Sequence, residues 1–526
     1  MSQGISYYAL IKLLSAEDWQ HSERMMAGVE REMLRVNASH GLAQTPHPVA
    51  LGSALTHPHI TLDFAESQLE LVTQPYENFD ALEQALYEIH GFTAQQLPAD
   101  EHLWLQSMPA DLKPEEIHPA KFGASLSGHL KTVYRQGLAN RYGKQMQVIS
   151  GVHFNFSWQH SFWERLHNRV RDHRRLSVFV SENYLALLRN YSRLSWLLAY
   201  LMGATPAIDA SFLKRHPKEL SGFKDRTLVG PYATSLRMSR IGYVNSSRCT
   251  SSVNYNSLTD YLSSLYQAIT TPCPGFEMIG LQDEDGTYRQ LNTHLLQIEN
   301  EHYALARPKQ PVSGGERPFR ALRERGVAYV EVRALDAQFD SPIGIHQEQM
   351  QFIRLFLLYC LLSPNPPIDK TEELELAYNH QQAALYGRQP GVELQRKGES
   401  VLLVDWAKRV FEQMGLLAQT LDKHVPGANY TAMLDRYARY LDQPELTPSA
   451  RVLAELEGQN LEFLDWAAQW SERHEATLKN LSISADRQQV LAQWVEASLA
   501  QQQAIEQADS GTFAEYLDRF SHSLKA

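Results

Sequence analysis

The chain has 526 residues, 43% of them hydrophobic, which is enough to bury a large core. Its 49 basic and 60 acidic residues give a formal net charge of −11, which disfavours nucleic acid and anionic membranes as partners. The most apolar segments, residues 196–202 and 355–362, are far shorter than the roughly 20 residues that span a bilayer. We therefore expect a small-molecule partner.

The cysteines and the N-terminal residues bear on the cellular compartment. Cys249, Cys273 and Cys360 are widely separated and show no CxxC spacing. An odd count without such spacing indicates neither a disulfide framework nor a zinc site. Residues 1–20 lack the basic, apolar and small-residue order of a secretory signal and instead predict an ordinary helix. These features favour the reducing cytoplasm.

Two periodicities divide the chain. Apolar and polar side chains alternate with period two in several stretches up to about residue 340, and beyond residue 347 apolar side chains recur every three to four residues. This predicts an α+β body over residues 1–345 and a helix-rich region over residues 346–526, packed as one structural unit. The predicted helices are residues 79–97, 181–201, 347–362, 401–422, 449–470 and 486–507. Glycine and proline residues between 369 and 400 predict a connection that crosses the surface.

Five stretches predict strands with one apolar and one polar face. They are residues 28–35, 69–73, 151–157, 296–301 and 327–334. Glu30 and Glu32 share a face of the first stretch, and Glu331 and Arg333 share a face of the last. The polar side chains of the other three stretches are Glu70, His153, Asn155, Gln297, Glu299 and Glu301. Any one such strand is more typical of an antiparallel sheet with a solvated face than of a functional site. Only the whole set of strands therefore indicates a functional site.

Five acidic side chains of this set would repel one another on a shared surface unless cations neutralised them. They are Glu30, Glu32, Asp63, Glu70 and Glu331. Oxygen ligands without thiolates select Mg²⁺ or Mn²⁺, and His153 would add an imidazole ligand. A single histidine is more often a packing or surface residue, so its role depends on these neighbours. The chain has neither a Walker loop nor a GxGxxG motif.

The same residues lie in motifs that resemble the proteobacterial type of glutamate–cysteine ligase. The motifs are GVERE (28–32), LGSALTH (51–57), TLDFAE (61–66), NRYG (140–143), ISGVHFNF (149–156), PYATSLR (231–237), LQIENE (296–301) and YVEVR (329–333). The match is dense from about residue 28 to 345, and LTPSAR (446–451) carries it in the C-terminal third. The resemblance implies a curved, mainly antiparallel sheet of the glutamine synthetase type, with surrounding helices and Mg-ATP on its concave side.

The resemblance also implies a reaction. ATP, L-glutamate and L-cysteine give γ-glutamylcysteine, ADP and phosphate through γ-glutamyl phosphate, the first step of glutathione biosynthesis. A carboxylate is unreactive toward amines, and its phosphorylation needs metal and cationic groups to stabilise charge on the transferring oxygens. The implied cofactor is Mg²⁺ or Mn²⁺, with ATP as co-substrate, in a cytoplasmic monomer. Feedback by glutathione, which resembles the dipeptide product, is a further hypothesis.

The family's site residues transfer to this chain by position. The implied metal ligands are Glu30, Glu32, Asp63, Glu70, His153 and Glu331. Arg333 would stabilise the transferring phosphoryl group and Arg237 would hold substrate charge, on glutamate. The implied cysteine pocket is formed by Tyr134, Arg135, Leu138, Gln147, Tyr243 and Tyr303, with Asn155 near the glutamate and the metals. Met33, Arg240 and residues 336–340 depart from the family's pattern, which leaves the strictness of the cysteine preference open.

Other functions remain open beside this one. A related ligase would activate glutamate identically but offer it to another amine. A catalytically silent binding protein would be expected to lack the metal acids, and a metal-dependent hydrolase would not need ATP. A fusion with glutathione synthase is disfavoured, because no second strand-rich body follows residue 344. Phosphate release that depends on both amino acids would separate these alternatives.

Overall fold

A computed structural model describes residues 6–242, 249 and 252–524, and shows a mixture of helices and antiparallel sheets, as the sequence predicted. The strands are β1 (Met25–Asn37), β2 (Ile60–Leu62), β3 (Gln68–Val72), β4 (Glu101–Trp104), β5 (Val152–Trp158), β6 (Ala207–Asp209), β7 (Ser221–Gly222), β8 (Thr227–Val229), β9 (Ala306–Lys309), β10 (Tyr329–Leu335), β11 (Glu393–Arg396) and β12 (Glu399–Leu402). The helices are α1 (Tyr7–Leu13), α2 (Ala16–Ser22), α3 (Phe79–Gln96), α4 (Leu126–Tyr142), α5 (His160–Arg169), α6 (Leu176–Met202), α7 (Leu258–Thr270), α8 (Pro274–Glu277), α9 (Pro318–Arg325), α10 (Gln347–Leu362), α11 (Lys370–Tyr386), α12 (Leu403–His424), α13 (Tyr430–Asp442), α14 (Pro448–Gln459), α15 (Phe463–Lys479), α16 (Ala485–Ala508) and α17 (Phe513–His522).

The main sheet has seven strands in the order β2-β3-β1-β5-β10-β9, with β4 also pairing with β1. All of its pairs are antiparallel. The register sets Glu32 opposite Glu70 and Glu30 opposite His153. Side chains directly opposite each other lie on the same face of a sheet, so β1 collects acidic and imidazole groups from both of its neighbours. The predicted strands at residues 28–35, 69–73, 151–157 and 327–334 are confirmed.

Long apolar helices cover the opposite face of the main sheet. Val29, Phe154 and Val332 point into one hydrophobic core together with side chains of α6 and α10. Both helices are buried along most of their length, which explains why they are apolar on nearly all sides. Because the core seals this face, only the polar face remains for a site. Among the described helices none is long and apolar enough for a membrane span.

Five of the six predicted helices are confirmed, with shifts of a few residues at their ends; they are α3, α6, α10, α12 and α16. The helix predicted over residues 449–470 is wrong, because the structure has α14 and α15 there. Asn460 between them has φ 52°, the left-handed conformation that ends a helix. The N-terminal stretch also divides into two helices, since Ser15 is extended and caps α2 together with Asp18.

The surface connection predicted over residues 369–400 is instead helix α11 and the β11–β12 hairpin. Asp369 caps α11 by accepting a hydrogen bond from the Glu372 amide. The hairpin turns at Lys397 and Gly398, which have φ 54° and 80°. Two consecutive positive φ angles match the twist of antiparallel strands, so the glycine marks a tight turn and not an irregular crossing.

The strand predicted over residues 296–301 is wrong. Glu299–Glu301 forms a 3-10 turn, and its side chains point toward different partners. Glu299 forms a buried ion pair with Arg317 at 2.7 Å, and Glu301 forms one with Arg141 at 2.8 Å. These long-range ion pairs replace the ladder of a strand, because each buried carboxylate needs its own cation.

The end of the chain contacts two loops, one at Ser53 and one at the start of α4. Ser53 donates its amide to Ser498 Oγ of α16 at 3.0 Å. The amides of Ala124 and Leu126, at the start of α4, donate to carboxylates of Glu506 and Asp509 at 2.8 and 2.5 Å. Acidic groups at a helix N-terminus satisfy its free amides and its dipole. The C-terminal region therefore fixes the position of α4.

Candidate active site

The polar face of the main sheet gathers carboxylates around one imidazole. His153 Nδ1 lies 3.1 Å from Glu30 Oε2, and its Nε2 lies 3.4 Å from Glu32 Oε1. The same ring is 3.9 Å from Glu331 Oε1. Asn155, two residues further along β5, donates to Glu30 Oε1 at 2.8 Å. Alternation along β1, β5 and β10 thus brings together side chains from three distant parts of the chain.

Two groups within this cluster could hold a metal ion. Glu30, His153 and Glu331 form one group, and Glu32, Glu70 and His153 form the other, with ligand atoms within 4.8 Å of one another in each. Glu331 Oε2 is buried and has no hydrogen-bond partner among the described residues, as expected of an atom that serves a cation. Carboxylates with one imidazole and no thiolate suit Mg²⁺ or Mn²⁺.

Burial and mutual repulsion raise the pKa values on one side of the cluster. Burial, with the charge of Glu32, raises the pKa of Asp63 to about 7. Burial, with the charges of Glu30 and Asp63, holds the pKa of Glu70 well above its ordinary value. Carboxylates that sit this close cannot all ionise at neutral pH without a cation. A cation that bound here would therefore displace protons from Asp63 and Glu70.

Basic groups have the opposite effect at Glu331. Burial works against its ionisation, yet the charges of Lys309 and Arg333 hold the pKa of Glu331 below its ordinary value. Arg333 Nη1 lies 3.2 Å from Glu331 Oε1, and the pKa of Arg333 is raised despite its burial, chiefly by the Glu331 charge. Glu331 is therefore ionised and bordered by cations.

We expect Mg²⁺ to raise the melting temperature more at about pH 8 than at about pH 5.5. Asp63 has a pKa of about 7 in the folded chain against an ordinary value of 3.8. Between these values the folded state binds more protons than the unfolded state, so this contribution to stability falls as pH rises. A divalent cation replaces the proton and restores the stability above the folded pKa. Thermal scans at matched ionic strength measure this, and equal shifts at both pH values would contradict it.

The carboxylate face opens into a cavity of about 640 Å³. This volume is typical of sites for small molecules, which span about 300–1,000 Å³. Its lining includes most of the predicted site residues: Glu30, Glu32, Asp63, Glu70, Tyr134, Arg135, Leu138, Gln147, His153, Tyr303, Glu331 and Arg333. The structure thus places the acceptor residues that it describes and the predicted metal ligands around one space.

Arg237, one of the predicted site residues, lies behind the cavity wall. It is buried, donates to the Arg333 carbonyl at 3.3 Å and lies 3.7 Å from Asp336. Its guanidinium occupies the space that a Cβ at Gly151, just before β5, would need. Tyr243, predicted for the acceptor pocket, lies outside the described residues.

Arg135 joins α4 to the segment that carries Asp63. It donates to the backbone carbonyls of Asp63 and Leu62, the latter at 3.1 Å. Its guanidinium also stacks on Phe122 at 4.3 Å from the ring centre. Five fixed donors suit this task of binding several carbonyls at once. Arg135 therefore links the carboxylate face of the main sheet to α4, the helix that carries Tyr134.

The segment of residues 291–303 forms a wall of the cavity through Leu296 and residues 300–303, and it is held by α4. Arg141 and Tyr142 both donate to Glu301 Oε1 at 2.8 Å. Gln297 packs directly on α4 at Gly137, where any larger residue would overlap its amide. The wall thus depends on a buried ion pair and a close helix contact.

One expectation about the cysteines is overturned. Cys249 and Cys273 form a disulfide with Cα atoms 6.1 Å apart, and Cys360 is free and buried. This separation is ordinary for disulfides, which span about 4.4–6.8 Å. The two are 24 residues apart and meet because both pack against Phe276, which spacing alone does not reveal. Cys249 also lines the cavity.

The sequence patterns did not single out Arg307 and Lys309, which also line the cavity. The segment Ala306–Lys309 is a short strand in which basic and apolar residues alternate. This alternation is a usable signal, but Pro308 argues against a strand interior. Because β9 is at the edge of the sheet, the proline costs no ladder hydrogen bond there.

Comparison with known proteins identifies the family. The family model for glutamate–cysteine ligase matches residues 10–383. The glutamate–cysteine ligase of Alcanivorax borkumensis is 41% identical over 519 residues, which cover 97% of this chain and 98% of the relative. That of Hahella chejuensis is 44% identical over 499 residues, with 94% of each chain covered.

Solved structures agree with this assignment. The glutamate–cysteine ligase of Francisella tularensis, solved in complex with AMP, is similar with a TM-score of 0.89 at 34% identity, covering 95% of this chain and 98% of that one. A bifunctional glutathione synthetase from Pasteurella multocida shares the fold with a TM-score of 0.71 at 24% identity, and 53% of that longer chain is covered. The chain therefore belongs to the glutamate–cysteine ligase family, ATP-dependent enzymes that carry out the first step of glutathione synthesis.

Proposed function

We propose that the cavity binds Mg-ATP and L-glutamate against the carboxylate face, and that L-cysteine reaches the activated glutamate from the side of α4. The observation that carries this proposal is the convergence of acids, an imidazole and basic groups on one cavity. An acidic cluster alone would repel a nucleotide, and a basic cluster alone would not hold its metal. Both together suit phosphoryl transfer.

The metal ligands of this proposal are Glu30, His153 and Glu331 on one side, and Glu32 and Glu70 on the other. Asp63 lines the same cavity and would complete the set. Mg²⁺ or Mn²⁺ bound there would neutralise phosphate charge as the phosphoryl group transfers. Asn155 orients Glu30 by donating to its Oε1 atom.

The chemistry has two steps. An oxygen of the glutamate γ-carboxylate bonds to the γ-phosphorus of ATP, and the bond to the bridging oxygen breaks, so that ADP leaves with the electron pair. The cysteine amine then bonds to the acyl carbon, phosphate leaves, and the amine proton passes to water. Arg333, which points into the cavity beside Glu331, would stabilise charge on the transferring oxygens.

The acceptor pocket of this proposal is formed by Tyr134, Arg135, Leu138, Gln147 and Tyr303, with Tyr243 from the segment outside the described residues. Arg237, predicted to hold glutamate, would act indirectly, by donating to the Arg333 carbonyl from behind the cavity wall. Each departure from the family's pattern is accommodated locally. Met33 is fully buried, Arg240 forms an ion pair with Glu219, and Asp336 accepts a hydrogen bond from the Thr205 hydroxyl at 2.8 Å. They give no structural reason to expect another amine.

Further parts of the proposal rest on the family. We expect the main sheet to be curved in the manner of glutamine synthetase, and residues 346–526 to pack on the body of residues 1–345 as one unit. The contacts of α16 with the loops before α4 support that unit. A cytoplasmic monomer and feedback by glutathione at the glutamate site stay predictions.

The testing experiment measures ADP formation by the purified protein with Mg-ATP and L-glutamate, with and without L-cysteine. We expect turnover that depends on all three substrates, with γ-glutamylcysteine detected by mass. If another amine supports faster turnover than cysteine, the acceptor assignment is wrong and the activation chemistry stands. If ATP is consumed without either amino acid, the chain is a hydrolase. Absence of turnover with every amine would favour a binding protein.

A further inference from the structure

Strand β9 presents two basic side chains on the face that carries the carboxylates. The register sets Arg307 opposite Glu331 and Lys309 opposite Tyr329 of β10. Directly opposite residues share a face, and Tyr329, Glu331 and Arg333 are on the polar one. Ala306 and Pro308 alternate with the basic residues and are buried. The edge of the acidic site is therefore cationic.

The two basic side chains are held differently. Arg307 is buried, and its Nη2 donates to the carbonyls of Asn300, at 3.0 Å, and His302. Its guanidinium thus supports the turn that precedes Tyr303. The Lys309 side chain is 31% exposed, and its ammonium reaches Glu331 Oε1 at 3.5 Å. An ammonium has three donors, and this long contact satisfies at most one of them.

The positive charge at this edge exceeds what Glu331 needs. Lys309 and Arg333 converge on the same atom, Glu331 Oε1, at 3.5 and 3.2 Å. Arg333 already gives this oxygen a charge-assisted hydrogen bond at the shorter distance, so Lys309 is a second cation beside one carboxylate. Lys309, the second cation, lines the cavity, and at least two of its three N–H donors are not used by Glu331. The chemistry that fits it is an anion with several charged oxygens, as in a nucleotide triphosphate.

We propose that Lys309 is a catalytic residue whose ammonium binds a phosphate oxygen of ATP while the γ-phosphoryl group moves to glutamate. This inference rests on the proposed function. As the oxygen–phosphorus bond to glutamate forms and the bond to the bridging oxygen breaks, negative charge grows on the ADP oxygens. Lys309 stays protonated and balances that charge, so no proton moves in this step. A flexible point charge suits a group whose oxygens shift during the reaction.

The test compares Lys309→Met with Lys309→Arg and with Lys408→Met, an exposed lysine of α12 paired with Asp442. We expect Lys309→Met to lower kcat about 10²-fold, as losing one donor to a transferring group does, with a smaller loss for Lys309→Arg and none for Lys408→Met. Binding by calorimetry, without glutamate, is expected to weaken at least tenfold for Mg-ATP and to be unchanged for adenosine. Because the side chain is partly exposed, the variant should fold; should it not, Lys309→Gln is measured instead.

Other outcomes would overturn the proposal. If Lys309 were only a counterion of Glu331, Lys309→Met would bind Mn²⁺ more tightly in a paramagnetic resonance titration and keep kcat within threefold. If the ammonium held a substrate carboxylate, only the KM of glutamate or cysteine would rise. If the wild-type enzyme showed no turnover, the proposed function would be wrong. The ratio of ATP to adenosine affinity in Lys309→Met would still decide the role of Lys309.

Discussion

Replacing Glu331 by glutamine is expected to lower kcat by at least about 10³-fold, because losing a metal ligand removes several kcal/mol of transition-state stabilisation. Glu331 is one of the acids that could hold a metal with Glu30 and His153, and its Oε2 atom is otherwise unpaired among the described residues. Glutamine keeps the shape but lacks the charge. The measurement is cysteine-dependent ADP formation at saturating ATP, with Mn²⁺ affinity determined in parallel.

Glu348→Gln is the matched control, because Glu348 is an exposed glutamate on α10 that pairs with Arg436. Exposed ion pairs contribute about 0–1 kcal/mol, so this variant should keep full activity. If Glu331→Gln retained more than a tenth of wild-type kcat with unchanged Mn²⁺ affinity, Glu331 would not be a metal ligand. Loss of activity in both variants would indicate a general defect of folding.

Arg141→Met is expected to destabilise the wall of residues 291–303 by about 3–5 kcal/mol, the cost of removing one partner from a buried ion pair. Arg141 and Glu301 are 2.8 Å apart, and the exposed fractions of their side chains are 0% and 1%. Arg141 also donates to Gln290 at 2.9 Å and to the Asn292 carbonyl at 2.6 Å. Its loss removes the Arg141 donor from Gln290 and Asn292 and leaves the buried Glu301 charge without a cation, with Tyr142 still donating to it. Because Tyr303 is the last residue of this wall, the KM for cysteine should rise.

Hydrogen exchange followed by mass spectrometry measures this effect locally, since one unfolding transition does not describe a chain of this size. We expect faster exchange in peptides that cover residues 291–303, with little change in the main sheet. Arg320→Met is the control, because Arg320 forms an exposed pair with Glu324 on α9 and should change stability by less than about 0.5 kcal/mol. If residues 291–303 exchanged as slowly in Arg141→Met as in the wild type, the wall would be held by other contacts.

The strands of the site could be predicted because their alternation is local. In β1, β5 and β10 the core residues and the site residues alternate with period two. A shift by one residue would turn the acids into the apolar core and the core residues toward the cavity. Glu30, His153 and Glu331 were therefore assigned correctly to one polar face each. That these faces belong to one sheet, with Glu30 beside His153, followed from the resemblance and from the register, not from the alternation.

Features that depend on distant partners could not be predicted. Gln297, Glu299 and Glu301 alternate like a strand, yet each is held by a different side chain or backbone group. Cys249 and Cys273 meet because the fold brings them to Phe276. Asn460 ends a helix inside a continuous helical pattern, because its left-handed conformation outweighs local propensity. Lys309 was not predicted as a site residue because Pro308 argues against a strand there. A proline is tolerated in this strand only because β9 lies at the edge of the sheet.

The sequence by itself determined the α+β composition, the polar strand faces, the buried helices α6 and α10, and, through its motifs, the family. These depend on periodicity and on short motifs, which are local properties of the chain. Only the tertiary structure decided which side chains share the cavity, which carboxylates keep a proton, and which cations border Glu331. Distances, burial and pKa shifts arise from residues far apart in the chain, because electrostatic energies depend on spatial separation and on exclusion of water.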